Sequence, residues 1–302
     1  MQSEIEIIIP TLALPTRRES LSRAVQSVLS QSGVRTAVTL VVNGDKFDQA
    51  CVDQLRQESR INVCWVIEPG LPGAIVTGWN ATSANLVGFL DDDDIFLPNG
   101  LARMRDAAGL DGHADVVVAN GYSYTAPGRP LEVVTKRDRT SALMSDPLLT
   151  LVQKNWFASC CALYRKERIG SDLFDNLVPW CEWTLVAGRL AISKRIAFVW
   201  EPCYQVNDTL ESASKSEQSL LARERVLKEM IDLCAQADRQ DVGRELRNRF
   251  GAMYHAISNL HHERDRTLEA WRYHLRSLIA PKGLQYLSYT RHLLGRLFER
   301  TS

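Results

Sequence analysis

The chain has 302 residues, with 36 Lys plus Arg against 36 Asp plus Glu, 45% hydrophobic residues and 8% aromatics, so it has the composition of a folded globular protein with a sizeable core. A formal net charge of zero lacks the basic surplus of a nucleic-acid-binding domain, and nucleic acid is not expected as a partner. Seven scattered cysteines without a CxxC pair exclude a disulfide framework or zinc ribbon. With no basic, apolar leader in residues 1–6 and no apolar run near the ~18 residues of a membrane span, a cytoplasmic protein is expected.

From Glu4 to about Ile67, β-rich apolar runs alternate with helical patterns, the order of a parallel sheet covered by helices. Residues 5–9 read as a strand ending at Pro10. Leu21, Val25, Val28 and Leu29 then share one helical face, closed by Gly33. A second strand is predicted over 38–42, a helix over 47–57, a third strand over 63–67, a helix from about Pro72, and a fourth strand over 86–90. Open α/β sheets bind ligands outside the carboxyl ends of their strands. Here those ends carry Pro10-Thr11, Asn43-Gly44-Asp45, Glu68-Pro69-Gly70 and the run Asp91-Asp92-Asp93-Asp94.

Residues 121–148, rich in charges and turn formers, read as a long loop, either an ordinary one or one serving acceptor contacts or a lid. After about Ser214 the strand signals stop. Leu246, Phe250, Met253, Ile257 and Leu260 form one apolar helical stripe, and Leu268, Trp271, Leu275 and Leu278 are predicted to form a second core stripe. The chain is therefore divided into an α/β domain, residues 1–214, and a helical extension, 215–302. From Trp271 to Ser302 there are six Lys or Arg and one acid, Glu299, among interleaved leucines. Such a tail either covers the protein's own core or lies peripherally on a membrane surface.

Four adjacent carboxylates repel one another, so bringing them together requires compensating positive charge. A divalent cation supplies it economically, and hard oxygen ligands point to Mg²⁺ or Mn²⁺; a solvated acidic turn is the alternative. An EF-hand is excluded, because the sixth position from Asp91 is Phe96 and the twelfth is Ala102. There is no GxxxxGK[ST] loop, and Gly70, Gly73 and Gly78 do not match GxGxxG. His113 is the only histidine before His255, so a base in the first domain is expected to be a carboxylate.

The residues Ile7-Ile8-Ile9-Pro10-Thr11, the helix from Leu21 to Gln31, and Asn80 with Ala84 leading to Val87-Gly88-Phe89-Leu90 and the four aspartates, then Pro98, resemble glycosyltransferase family 2 over about residues 4–210. The segment Leu173-Phe174-Asp175, then Trp180-Cys181-Glu182-Trp183 and Arg189, is similar to the part of that family that carries its catalytic aspartate. The resemblance implies a GT-A fold, Rossmann-like with flanking helices, and a D-x-D motif. It implies inverting transfer from a nucleotide-diphospho-sugar donor, UDP- or dTDP-linked, to a hydroxyl of a glycan or lipid-linked acceptor, commonly in surface polysaccharide assembly. By the same resemblance Asp93 holds the metal with Asp91, Asp92 faces the ribose or a metal-bound water, and Glu182 is the general base. Pro10, Thr11, Asn43, Asp45 and Glu68 line the nucleotide. Asn43 stands where the family usually has aspartate, Cys181 precedes Glu182 where an acid is usual, and Asn207 occupies a position where histidine is frequent. These departures leave a non-catalytic nucleotide-sugar-binding or scaffolding relative as the alternative. A nucleotidyltransferase is disfavoured, because Pro10 to Arg18 lacks a glycine-rich loop.

Overall fold

The computed structural model describes residues 3–125, 128–134, 141–207 and 216–299, in two units, Met1–Leu210 and Glu211–Ser302. The first unit runs β1 (Ile5–Thr11), α1 (Arg18–Leu29), β2 (Thr36–Asn43), α2 (Gln49–Arg56), β3 (Ile61–Val66), α3 (Leu71–Ala81), β4 (Leu86–Phe89), β5 (Ile95–Phe96), α4 (Gly100–Leu110), β6 (Val116–Tyr124) and β7 (Leu131–Glu132). It continues through α5 (Ser141–Ser145), α6 (Pro147–Gln153), β8 (Ala162–Arg165), α7 (Glu182–Ser193) and β9 (Ile196–Asn207). The first four strands end within two residues of their predicted limits.

Among the described residues nine strands join one sheet in the order β3-β2-β1-β4-β8-β6-β9-β5, with β7 beside β6. The block from β3 to β4 is parallel, whereas β8 runs antiparallel to both β4 and β6. β1 is the central parallel strand, and Ile5, Ile7, Ile8 and Ile9 are completely buried because helices cover both faces of the sheet. β2 lies on one side of β1 and β4 on the other. The carboxyl ends of β1 and β4 therefore meet at the switch in strand order, where such sheets open a crevice.

The segment 121–148 differs from the predicted long loop. It opens inside β6, contains β7 and ends in α5 and the start of α6, while residues 126–127 and 135–140 lie outside the described residues. Alternation was too short and the charge too high for the two-residue strand β7 to register; pairing with β6 makes it a strand.

The second unit contains α8 (Glu217–Gln236), α9 (Gln240–Glu263), α10 (Thr267–Ile279) and α11 (Tyr289–Glu299). In α9 the predicted stripe is inward: Leu246, Met253 and Ile257 are buried. Arg276 of α10 donates to Glu224 of α8 at 2.7 Å and to the Tyr254 hydroxyl of α9 at 2.7 Å, tying three helices together. The second predicted stripe is not core as a whole: Trp271 and Leu278 are half-buried. Leu268 is 78% and Leu275 53% exposed, and α10 instead buries Ala270, His274 and Ser277. Small and hydrogen-bonding residues win that face because the Ser258 hydroxyl reaches the Ala270 carbonyl at 2.7 Å and the His274 Nε2 lies 2.8 Å from the Thr290 hydroxyl. Periodicity sees the leucines but not these partners.

Gly78 lets α3 lie directly on the sheet: a Cβ there would overlap the Ile8 side chain and come within 3.0 Å of Val41. Gly78→Ala should therefore cost about 1–3 kcal/mol in urea denaturation with an unchanged m-value. A neutral effect would show that α3 is not packed against β1 at this distance.

Candidate functional site

The register Ile8↔Phe89 between β1 and β4, continued to the end of β1 and past the end of β4, places Thr11 opposite Asp92. The Thr11 hydroxyl donates to Asp92 Oδ2 at 2.6 Å and accepts the Ala13 N–H at 2.8 Å. Ala13 holds a positive φ of 46°, which turns the chain sharply into the Pro15–Arg17 turn of 3₁₀ helix. That turn delivers Arg17. Its Nη1 donates to Asp92 Oδ1 at 2.7 Å and to Asp93 Oδ2 at 2.9 Å. Asp92 is thus turned inward and held from two sides, and Asp93, 20% exposed at its side chain, faces outward.

The other two aspartates are held by later elements. The Ser159 hydroxyl donates to Asp91 Oδ2 at 2.9 Å. Asp94 accepts the Asn207 N–H at 2.8 Å on one oxygen and faces the Cys160 thiol at 4.0 Å with the other. Asn207 arrives there by register: β5 and β9 pair Ile95 with Gln205, and two residues further on Asn207 lies opposite Asp93, whose carbonyl accepts from its Nδ2 at 2.6 Å.

The electrostatics follow from this crowding. Burial pushes the Asp91 and Asp94 carboxyls well above the ordinary aspartate range; the charges of Asp93 and Asp92 add to both shifts, and that of Asp91 adds to the shift of Asp94. Asp92 is raised by burial too, but Thr11 and Arg17 hold it back. Glu182, at the first turn of α7, is 5% exposed. Burial raises its pKa above the ordinary glutamate range, and its own N–H and that of Trp180 oppose the rise. Glu182 lies near enough to the acidic turn for its charge to raise Asp91. It is not a surface carboxylate paired with Arg189, because Arg189 reaches the Leu173 and Asp175 carbonyls at 2.8 and 2.7 Å. Trp183 anchors the start of α7, its ring 5.0 Å from Phe89, two residues before Asp91.

Of the residues expected at the nucleotide, Pro10 and Thr11 are buried at the crevice. Asp45 and Glu68 are exposed at the ends of the neighbouring strands. The Asn43 amide oxygen accepts the Gly70 N–H at 2.9 Å, so it fastens the β2 and β3 ends to each other. Arg17 and Ser159 were not singled out in the sequence. Arg17 had a signal, a cation six residues beyond the end of the first strand's Thr11; Ser159 had none, since β8 comes to β4 only through tertiary pairing.

Among the described residues, no three His, Cys, Asp or Glu side chains form a metal cage on their own. The donor set fits Mg²⁺ or Mn²⁺ differently. Such an ion is held by one or two carboxylates together with substrate phosphates, and Asp93 with Asp91 offers hard oxygens where negative charge is in excess.

Comparison with known proteins bears on this site. The profile described as glycosyl transferase family 2 matches residues 6–169. An uncharacterized glycosyltransferase of Nostoc sp. (strain PCC 7120) is 29% identical over 177 residues, 54% of this chain and 52% of its own length, so the chain spans about half of that curated relative. Among solved structures, TarS 1–349 of S. aureus in complex with UDP has a TM-score of 0.58 at 16% identity, covering 83% of this chain and 72% of that one. The same fragment in complex with UDP-GlcNAc gives 0.55 at 14% identity, covering 85% and 82%. At these identities the structural likeness establishes the fold, the GT-A arrangement of a mixed sheet with flanking helices. The profile covers more than half of the sequence, from β1 through the acidic turn to β8, and on that ground the chain belongs to glycosyl transferase family 2.

Proposed function

We propose that the chain is a metal-dependent, inverting glycosyltransferase that moves a sugar from a UDP- or dTDP-linked donor to a hydroxyl of a glycan or lipid-linked acceptor in surface polysaccharide assembly. The observation that carries this reading is the convergence of buried Glu182 with the Asp91–Asp94 turn at the carboxyl ends of the central parallel strands. The UDP and UDP-GlcNAc complexes of TarS support the choice of donor.

Asp93 with Asp91 would hold Mn²⁺ or Mg²⁺, which supplies neutralisation of the charge that develops on the departing diphosphate. Arg17 brings a guanidinium to the same edge and keeps Asp92 and Asp93 in place. Glu182 takes the proton from the acceptor hydroxyl as its oxygen attacks the anomeric carbon opposite the leaving group. A raised pKa makes Glu182 a stronger base than a solvated glutamate, and proton removal by such a group contributes typically ~10²–10⁴-fold.

A thermal-shift screen against UDP, dTDP, GDP and CMP, each with and without Mn²⁺, tests the donor site. A selective, metal-dependent rise with UDP or dTDP is expected, and Asp91→Ala with Asp93→Ala should abolish it. A rise that needs no metal would remove the role of Asp93, and no rise with any nucleotide would favour the non-catalytic alternative.

Glu182→Gln should lower kcat by about 10²–10⁴-fold with nucleotide binding retained. Because the carboxylate must be ionised to act, the acid limb of kcat/KM should lie above the ordinary glutamate value of about 4.3 and disappear in the variant. An unshifted limb retained by Glu182→Gln would assign the base elsewhere.

The helical unit adds a contact of its own to this reading. Leu275 and Ile279 lie about two and three turns of α10 beyond Leu268, and the three stand exposed on one stripe, with exposed Arg272 beside them. Apolar residues flanked by an excess of cations suit an anionic membrane surface, where a lipid-linked acceptor would reside. The full chain should co-sediment with phosphatidylglycerol vesicles and not with pure phosphatidylcholine, and Leu275→Glu with Ile279→Glu should weaken that partition at least about tenfold. Equal partition of the variant would remove the membrane contact.

A further inference from the structure

Between two buried anchors, Leu177-Val178 at 4% and 1% exposure and Glu182 at 5%, the chain arches outward. At the top of this arch Trp180 is 47% exposed and takes a φ of +72°. Both properties work against a structural role. A large aromatic ring left in water forgoes the burial that ordinarily justifies it, and a left-handed backbone is one that glycine adopts without the Cβ conflict. The turn does have one local consequence, because the Trp180 N–H is among the groups that hold the Glu182 pKa back. Any residue but proline would provide that N–H. The indole is therefore unexplained by the fold, and backbone strain held at a site by its surroundings is a pointer to function.

We infer that Trp180 is the acceptor platform, on which the C–H face of an acceptor pyranose ring stacks while one of its hydroxyls reaches Glu182. The inference rests on the reading of Glu182 as the acceptor base. The acceptor must approach Glu182 from solvent, and Trp180 is the exposed large side chain two residues from it in sequence. An aromatic face carries negative potential and the axial C–H groups of a pyranose carry positive, so stacking orients the sugar without consuming the hydroxyl that reacts. Binding sites that combine one aromatic wall with few convergent polar groups are the usual pattern for small ligands. A sugar ring is favoured over a lipid chain because the arch offers a single ring beside a charged group, with exposed Pro179 on one side and half-buried Cys181 on the other.

The test uses the full chain with UDP and Mn²⁺ present on an immobilised glycan array, comparing wild type with Trp180→Gly and Trp180→Phe. Wild type should be retained by a set of pyranose-terminated glycans, Trp180→Gly should lose at least tenfold of that retention, and Trp180→Phe should keep most of it. Because glycine suits the positive φ, Trp180→Gly should melt at the wild-type temperature or above, an outcome that a structural tryptophan would not give. The UDP-induced thermal shift should be unchanged in both variants, so a failure here is distinguishable from a failure of the donor site. Equal glycan retention by Trp180→Gly, no retention of any glycan by wild type, or loss of the UDP shift together with retention would each overturn the assignment.

Discussion

Four carboxylates confined to one turn, with the Arg17 guanidinium against two of them, are the constraint around which the first unit is arranged. Asp91 to Asp94 cannot all be ionised at close range in a partly dry site without a large electrostatic cost. The protein spreads that cost over several elements. Thr11 and Arg17 come from the end of β1 and its following turn, Ser159 and Cys160 from the approach to β8, and Asn207 from the last residue of β9. Each aspartate has a different set of partners, so four identical side chains acquire four environments. Asp92 and Asp94 are tied inward as structural acceptors, while Asp93 is left facing the crevice. The pKa of Asp91 is raised by burial and held back by the hydrogen bond from Ser159.

This arrangement depends on register. In a parallel pair the side chains beyond the last ladder bond still follow the pairing, so Ile8 opposite Phe89 determines that Thr11 meets Asp92. A slip of one residue would turn Phe89 away from Trp79, Tyr164 and Phe174 and the acidic turn away from Thr11 together. The aromatic cluster under β4 thus fixes the position of the carboxylates above it, and through Trp183 it fixes the start of α7 and Glu182 as well. Packing and chemistry share the same few residues.

The parallel half of the fold and its acidic turn were legible in the sequence because they rest on local signals: apolar runs such as Ile5 to Ile9, and polar residues placed just after them. Glu182 was legible only through resemblance, since nothing local separates a glutamate at a helix start that is buried from one that is solvated. Arg17 and Ser159 illustrate the remainder. Their role comes from side chains meeting across 75 and 68 residues of sequence, a distance at which spacing carries no information. Asn43 is a different case. It was expected to line the nucleotide, and the structure gives its amide oxygen a backbone partner in Gly70, because loops at neighbouring strand ends must satisfy their own N–H groups first.

In the helical unit the same limit of periodicity has a functional side. A 3.6-residue period shows that an apolar stripe exists on α10, but whether the stripe faces inward depends on what α9 and the segment around Thr290 present to it. They present Ser258 and Thr290, and the hydroxyls of these residues accept close approach by Ala270, His274 and Ser277. Small residues bring helices near and leave no room for leucine between them. Leu268, Leu275 and Ile279 are excluded by that geometry, and their exposure is a consequence of a polar seam that satisfies itself. A stripe of this kind costs solubility unless something covers it.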